Sequence, residues 1–204
     1  MEHQTLIIIR TLPKFKDDFP GGPFVSSRAD RDAPVSPRAE KIGRWLASQL
    51  GGRNLEAVRC GPEERCRVTA AALSSGAGRR SVIPSECYLG RDWGTLAGRP
   101  CADVRAAMNE LTSSRRRRMS PGSGESWLDL ESRVSRSLGY ACDMGKNFAL
   151  VADQSVCRAA AGILTGSPKF ATEFYLENGG YAVFCHDGSH WRLVGEPTNP
   201  PPNL

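Results

Sequence analysis

Histidine is scarce in this chain, and long apolar runs are missing from it. The three histidines are His3, His186 and His190, too few for a histidine-rich metal site. The seven cysteines are odd in number and form no Cys-x-x-Cys pair, so neither a zinc site nor a disulfide framework is expected. We therefore predict no metal, no cofactor, and reduced, mostly buried thiols.

No apolar run reaches the roughly 18 residues that a membrane-spanning helix needs. The first residues also lack the basic-then-apolar pattern of a secretory signal. We predict a cytoplasmic protein that does not enter a membrane. The length of 204 residues is typical of one domain of ordinary size.

The formal net charge of +5 owes much to four consecutive arginines at residues 115–118. Their flanks are rich in serine, glycine and proline, which predicts a loop. Aromatic residues do not interleave with the arginines and no known nucleic-acid module surrounds them, so a nucleic-acid partner is not expected. A solvated basic loop is the first interpretation, and a loop that draws in an anionic ligand is the second.

Strand signals alternate with helix signals along the sequence. The first is an apolar, β-branched run at residues 5–10, typical of a strand buried on both faces. This alternation predicts an α/β fold, a three-layer sandwich with a mainly parallel central sheet and helices on both faces. We expect one domain over residues 1–195 and a proline-rich tail, extended or loose, over residues 196–204. Further strands are predicted at residues 55–60, 81–84, 147–152, 181–185 and 191–194, the last two as a hairpin.

Two helix starts carry local signals. Ser36 precedes Pro37, which predicts a helix capped by Ser36 with the proline at its first position. Ser126 and Asp129 have the spacing of a capping box, in which each side chain accepts a hydrogen bond from the other's backbone N–H. Each signal places a helix directly after a predicted loop.

Three predicted strands end in polar or small residues that should lie together. Parallel strands bring their carboxyl ends to one edge of a sheet, and ligands bind beyond that edge. The rule places Arg10-Thr11, Cys60-Gly61 and Ala152-Asp153 around one crevice. Cys60 and Cys66 flank the loop that carries Arg65, and inert packing of their thiols is favoured over a reactive thiol.

Five short motifs occur in order along the chain. They are Asp32-Ala33-Pro34-Val35-Ser36, Gly61-Pro62-Glu63-Glu64-Arg65-Cys66-Arg67-Val68-Thr69-Ala70, Trp93-Gly94-Thr95-Leu96-Ala97-Gly98, Gly124-Glu125-Ser126, and Ala149-Leu150-Val151-Ala152-Asp153-Gln154 followed by Arg158. Together they resemble the histidine phosphatase (phosphoglycerate mutase-like) superfamily over roughly residues 5–195. The resemblance implies that family's fold, with a pocket at the carboxyl ends of the strands.

The resemblance also implies that this is a degenerate member that lacks the family's catalytic side chains. The family's first strand ends in Arg-His-Gly, where the histidine accepts the phosphoryl group, and Thr11 stands in its place. The second pocket histidine falls on Asp153 and the general-acid glutamate on Gly90. A threonine hydroxyl cannot take a phosphoryl group as an imidazole does without a strong partner base. The arginine pair of the pocket, Arg10 and Arg65, remains.

Five residues are candidates for the site. Arg10 and Arg65 predict a clamp for phosphate or carboxylate, because guanidinium groups bind both through paired hydrogen bonds. The alternative is an internal network between the arginines and Asp153. Asp153 is a candidate acid or base and otherwise a structural counter-ion, and Thr11 is a weaker catalytic candidate. Glu125 resembles a family residue near the pocket and is a candidate ligand-binding residue.

Three functions follow from this interpretation. The first is an enzyme of specialised metabolism that holds an anionic small molecule and carries out a reaction other than phosphoryl transfer. The second is a non-catalytic pseudo-phosphatase, a binding or regulatory protein that senses or delivers a ligand or docks on a partner protein. A homodimer is a further candidate assembly. The third, ranked last, is a working phosphatase with a non-standard nucleophile. Whether the chain is an enzyme stays open at this point.

Overall fold

A computed structural model describes residues 4–18, 20, 22–26, 30–75 and 80–204 of the chain. Their strands form one six-stranded sheet in the order β3-β2-β4-β1-β5-β6. The strand bounds are β1 Gln4–Arg10, β2 Ala57–Cys60, β3 Ser81–Pro84, β4 Phe148–Ala152, β5 Tyr181–His186 and β6 Trp191–Thr198. The helix bounds are α1 Ala39–Leu50, α2 Glu64–Ser74, α3 Cys101–Asn109, α4 Ser113–Arg118, α5 Trp127–Asp143, α6 Gln154–Thr165 and α7 Pro168–Glu173.

The sheet is mixed, and its parallel part carries the strand ends of interest. β1 pairs with β4, β4 with β2 and β2 with β3, all in parallel. β5 and β6 add an antiparallel edge next to β1. The predicted fold class is confirmed, including the strand at residues 81–84 and the closing hairpin.

Two apolar layers cover the two faces of the sheet. Alternate residues of β1 and β4 point to opposite faces, as the period of a strand requires. On one face Leu6 and Ile8 pack in a cluster with α5, α6 and α7, and on the other Ile7 and Ile9 pack with α1 and α2. This arrangement completely buries the four apolar side chains of β1 and explains their unbroken run.

The two helix starts that the sequence marked have different outcomes. Ser126 caps α5, and its hydroxyl and the Asp129 carboxylate complete the predicted capping box. α1, however, begins at Ala39 rather than at Pro37, and its N-cap residue is Arg38. The hydroxyl of Ser36 donates to Asp18 and accepts from the Arg38 backbone N–H, so it shapes the turn before the helix.

Two further expectations differ from the structure, one about a loop and one about where the C-terminal tail begins. The arginines at residues 115–118 lie in α4, not in a loop, because Thr112 accepts from the Arg115 backbone N–H as an N-cap and arginine favours helices. β6 runs to Thr198, so the boundary expected after residue 195 falls inside a strand. Leu204 packs against the cluster around Leu12.

Among the described residues, no helix is both long and apolar enough to span a membrane.

Candidate anion-binding site

The carboxyl ends of three parallel strands meet where the sequence placed them. Arg10 of β1 lies opposite Ala152 of β4, and Cys60 of β2 lies opposite Val151. The residue after β1 continues the contact, since the backbone N–H of Thr11 donates to the Ala152 carbonyl at 2.9 Å. The predicted convergence of these strand ends is therefore confirmed.

A cavity of about 1110 Å³ opens at this edge, and we call it the main cavity. Four of the predicted site residues line it: Arg10, Thr11, Arg65 and Asp153. Cationic side chains greatly outnumber the acidic ones on its wall. The cationic ones are Arg10, Lys14, Arg65, Arg91, Arg105, Arg116, Arg117, Arg158 and Lys169, and the acidic ones are Asp17, Glu131 and Asp153.

Arg10, Arg105 and Arg158, which we call the arginine cluster, concentrate positive charge at one end of the main cavity. Arg10 donates to the Leu176 carbonyl at 2.6 Å, and its guanidinium lies 5.3 Å from the centre of the Tyr175 ring. Burial lowers the pKa of Arg158, and the charges of Arg105 and Arg10 lower that pKa further. No described carboxylate lies within the 4.0 Å ion-pair distance of these three guanidinium groups.

Arg65 differs from the arginine cluster because buried carboxylates face it. Its Nη2 lies 3.9 Å from Asp153 Oδ2 and 3.9 Å from Glu63 Oε1, and all three residues are less than a tenth exposed. The same Nη2 donates to the Ser26 hydroxyl at 3.2 Å, while Nε is buried without a hydrogen-bond partner. The internal network that the sequence left open as an alternative thus forms at Arg65 and leaves Arg10 outside it.

Asp153 also holds the start of α6. Its Oδ1 accepts from the Val156 backbone N–H at 3.0 Å, and its Oδ2 accepts from the Ser155 hydroxyl at 3.3 Å. An aspartate N-cap satisfies backbone donors that the helix itself leaves unpaired. One carboxylate therefore lines the main cavity, caps a helix and faces Arg65.

Glu63 is a site residue that the sequence interpretation missed. Its Oε1 accepts from the Gly90 backbone N–H at 2.8 Å, and its buried Oε2 has no hydrogen-bond partner. A Cβ atom added at Gly61 would lie 2.3 Å from that Oε2. The sequence did carry one signal for this contact. Gly61 stands where the family motif has serine, and it lies two residues before Glu63.

Lys14 is a second missed residue, and it lies in an irregular loop that carried no pattern. The side chain is almost completely buried on the wall of the main cavity. Its Nζ donates to the Phe24 carbonyl at 2.9 Å and to the Ser26 hydroxyl at 3.3 Å, and lies 3.7 Å from Asp17. Burial lowers the pKa of Lys14 and outweighs the opposing charge of Asp17. Lys14 and Arg65 therefore share Ser26 as a hydrogen-bond partner.

The hydroxyl and thiols near the strand ends are packed rather than activated. Thr11 is buried, with its Oγ1 3.4 Å from the Thr69 hydroxyl. Burial raises the pKa of the Cys60 thiol to about 11, and it raises that of the buried Cys66 thiol well above its usual value. Both thiols stay protonated at neutral pH, which agrees with the inert packing expected from the sequence.

Glu125 lies away from the arginines with which it was grouped. Its carboxylate accepts from Arg133 Nε at 2.6 Å and from Arg133 Nη2 at 2.9 Å. Both residues line a separate cavity of about 520 Å³, together with Gly90 and Arg31, which we call the second cavity. The structure therefore brings four of the five predicted site residues together and leaves Glu125 in the neighbouring cavity.

Comparison with known proteins identifies relatives of this fold. The family model described as histidine phosphatase superfamily (branch 1) matches residues 26–196. The mycobacterial glucosyl-3-phosphoglycerate phosphatase superimposes with a TM-score of 0.75 at 17% identity, over 94% of this chain and 97% of that one. Entamoeba histolytica phosphoserine phosphatase in complex with 3-phosphoglyceric acid gives 0.76 at 18% identity, over 94% and 95%. A structure of the α-ribazole phosphatase from Shigella flexneri gives 0.75 at 18% identity, also over 94% and 95%. No curated protein matches the sequence.

Proposed function

This chain belongs to the histidine phosphatase superfamily, and from that membership we propose that its main cavity binds an anionic small molecule without forming a phosphohistidine. The observation that carries the proposal is the arginine cluster on the cavity wall, with no described carboxylate in ion-pair distance. Guanidinium groups bind phosphate and carboxylate alike, so the head group of the ligand is one of these two.

The replaced side chains support the absence of phosphohistidine chemistry. Thr11 follows Arg10 where the family has its phosphoryl-accepting histidine. Across the described part of the chain, no histidine lines the main cavity. Both His186 and His190 belong to the closing hairpin at the antiparallel edge of the sheet. Phosphoryl transfer through histidine needs an imidazole ring beside the bound phosphate. The proposed function therefore includes no phosphohistidine step.

Within this proposal the bound metabolite undergoes a reaction other than phosphoryl transfer. Asp153 is the candidate acid–base group, since it lines the main cavity and Arg65 keeps a cation beside its carboxylate. Its cap of α6 fixes the carboxylate in place, which a proton-transfer group requires. A cytoplasmic location, as expected from the sequence, belongs to the same proposal.

The test measures binding at the arginine cluster. We would titrate inorganic phosphate, small phosphate esters and carboxylates by calorimetry and by thermal unfolding, in wild type, Arg158→Gln and the control Arg192→Gln. Arg192 is exposed on β6 and lies outside the main cavity. A ligand at a hundredfold excess over its dissociation constant stabilises the native state by about 2.7 kcal/mol. Stabilisation that Arg158→Gln removes and Arg192→Gln retains supports the proposal. Binding unaffected by Arg158→Gln contradicts it.

The edge strand β3 favours the second candidate, a non-catalytic protein that acts by binding a partner. All four of its residues are exposed, and Val82 and Ile83 are each 37% exposed. An edge strand with apolar side chains offers unpaired backbone groups to another chain. The test is the molar mass in solution of wild type and Ile83→Lys, alone and as a mixture. A wild-type dimer that Ile83→Lys converts to a monomer supports this candidate. A wild-type monomer at all concentrations contradicts self-association through β3.

A further inference from the structure

The main cavity is longer than a single anion requires. Along α6 its lining begins at Asp153, the N-cap, and continues to Gly166, the C-cap. At about 1.5 Å per residue this stretch spans roughly 20 Å. The volume of about 1110 Å³ lies above the range of about 300–1,000 Å³ that is usual for small-molecule sites. A phosphate or carboxylate at one end leaves most of this space for the rest of a ligand.

Charge is distributed unevenly along the cavity. The arginine cluster lies near the start of α6, because Arg10 ends β1 and Arg158 is in the second turn of the helix. Elsewhere on the wall Arg117 lies 2.5 Å from Glu131, and Lys169, past the end of α6, lies 3.9 Å from Glu173. Arg91 and Arg116 donate to backbone carbonyls instead. The arginine cluster groups three guanidinium groups near the start of α6, which fits a ligand whose anionic head lies there.

The remaining wall offers apolar surface to an uncharged body. Leu128 is 41% exposed, although large apolar side chains are usually buried, and it lines the main cavity. The half-buried side chains of Trp127 and Ile163 also line the cavity. An independent feature of the same cavity is Arg65, which is less than a tenth exposed and whose Nε is without a hydrogen-bond partner. The exposed surface of Leu128 is a contact that a bound apolar group would cover.

We infer that the ligand of the main cavity is an elongated amphiphile, whose anionic head binds the arginine cluster and whose uncharged apolar body lies along α6 toward Gly166. This inference rests on the proposed function and narrows it to a class of ligand. The attraction of the head is electrostatic, whereas the body gains affinity by removing apolar surface from water. Affinity should therefore rise with the length of an alkyl chain attached to the anion.

The experiment compares methyl, butyl and octyl phosphate by calorimetric titration below their micelle concentrations. We expect octyl phosphate to bind at least tenfold more tightly than methyl phosphate. Octanoate, used in parallel, distinguishes a phosphate head from a carboxylate head. Leu128→Asn should weaken octyl phosphate at least threefold and leave methyl phosphate unchanged. The matched control is Val194→Asn, which alters a side chain of similar exposure, 47%, outside the cavity.

The outcomes separate this inference from the proposed function. Equal affinities for methyl and octyl phosphate, both weakened by Arg158→Gln, would retain the anion site and overturn the elongated ligand. If octyl phosphate binds more tightly than methyl phosphate but Leu128→Asn does not change its affinity, the alkyl chain lies elsewhere. That result would also overturn the elongated-ligand inference. If neither ester responds to Arg158→Gln, the proposed function itself fails.

Discussion

A Cβ atom added at Gly90 would lie 2.5 Å from Asp153 Oδ2, closer than real Cβ contacts allow. The same atom would lie 3.2 Å from Glu63 Oε1. In the resemblance to the family, position 90 corresponds to the general acid and position 153 to a pocket histidine. The two departures from the family pattern thus meet at one point in space, where the missing side chain of one leaves room for the carboxylate of the other.

This relationship predicts that Gly90→Ala destabilises the protein in a way that depends on Asp153. We expect a loss of about 1–3 kcal/mol in the free energy of unfolding, the usual cost of overpacking, measured by urea denaturation. In the Asp153→Ala background the same substitution should cost less, because the clash is removed. Gly52→Ala is the control, since a Cβ there meets no atom within 4 Å. Costs that simply add in the double variant would contradict the predicted contact.

The strands, and the edge at which they meet, could be predicted because their signals are local. The unbroken apolar run of β1 and the alternation of strands with helices predict a parallel sheet, and a parallel sheet brings Arg10 and Asp153 to the same edge. Glu63 and Lys14 could not be predicted, since their partners are backbone and hydroxyl groups of remote loops. Glu125 was misplaced because a motif gives its neighbours in sequence but not the Arg133 side chain that holds it.

Removing the Glu125 carboxylate should affect stability and not anion binding. Glu125→Ala leaves Arg133 without its carboxylate partner in a mostly buried position, and we expect a loss of about 1.5–3 kcal/mol, typical of charged hydrogen bonds. Glu40→Ala is the matched control, because Glu40 pairs with Arg44 on an exposed helix surface, where such pairs contribute about 0.5 kcal/mol or less. Denaturation measures the first effect and phosphate titration the second. Weaker phosphate binding in Glu125→Ala would contradict this prediction and make Glu125 and the second cavity part of the anion-binding site.

The buried Cys60 thiol predicts lower stability at high pH. Burial raises its pKa from 9.0 to about 11 in the folded state. Between these values the unfolded chain loses the thiol proton while the folded chain keeps it, so the free energy of unfolding falls as the pH rises. Urea denaturation at intervals between pH 8 and pH 11 should show this fall. Cys60→Ala, although less stable at every pH, should show a shallower slope, and an unchanged slope would assign the effect to other groups.

The hydroxyl of Thr11 should contribute to packing and to no chemical step. It lies beside the Thr69 hydroxyl and the Cys66 thiol, and neither group is a base at neutral pH. Thr11→Val preserves the shape of the side chain and removes the hydroxyl, so we expect a loss of about 1 kcal/mol in stability for one buried hydrogen bond. Anion affinity at the arginine cluster should be unchanged, because that cluster binds through guanidinium groups. Hydrolysis of phosphate esters, measured as the release of inorganic phosphate, should be absent from both wild type and Thr11→Val. Turnover by wild type that Thr11→Val abolishes would make the threonine a nucleophile and revive the third function, a phosphatase without histidine.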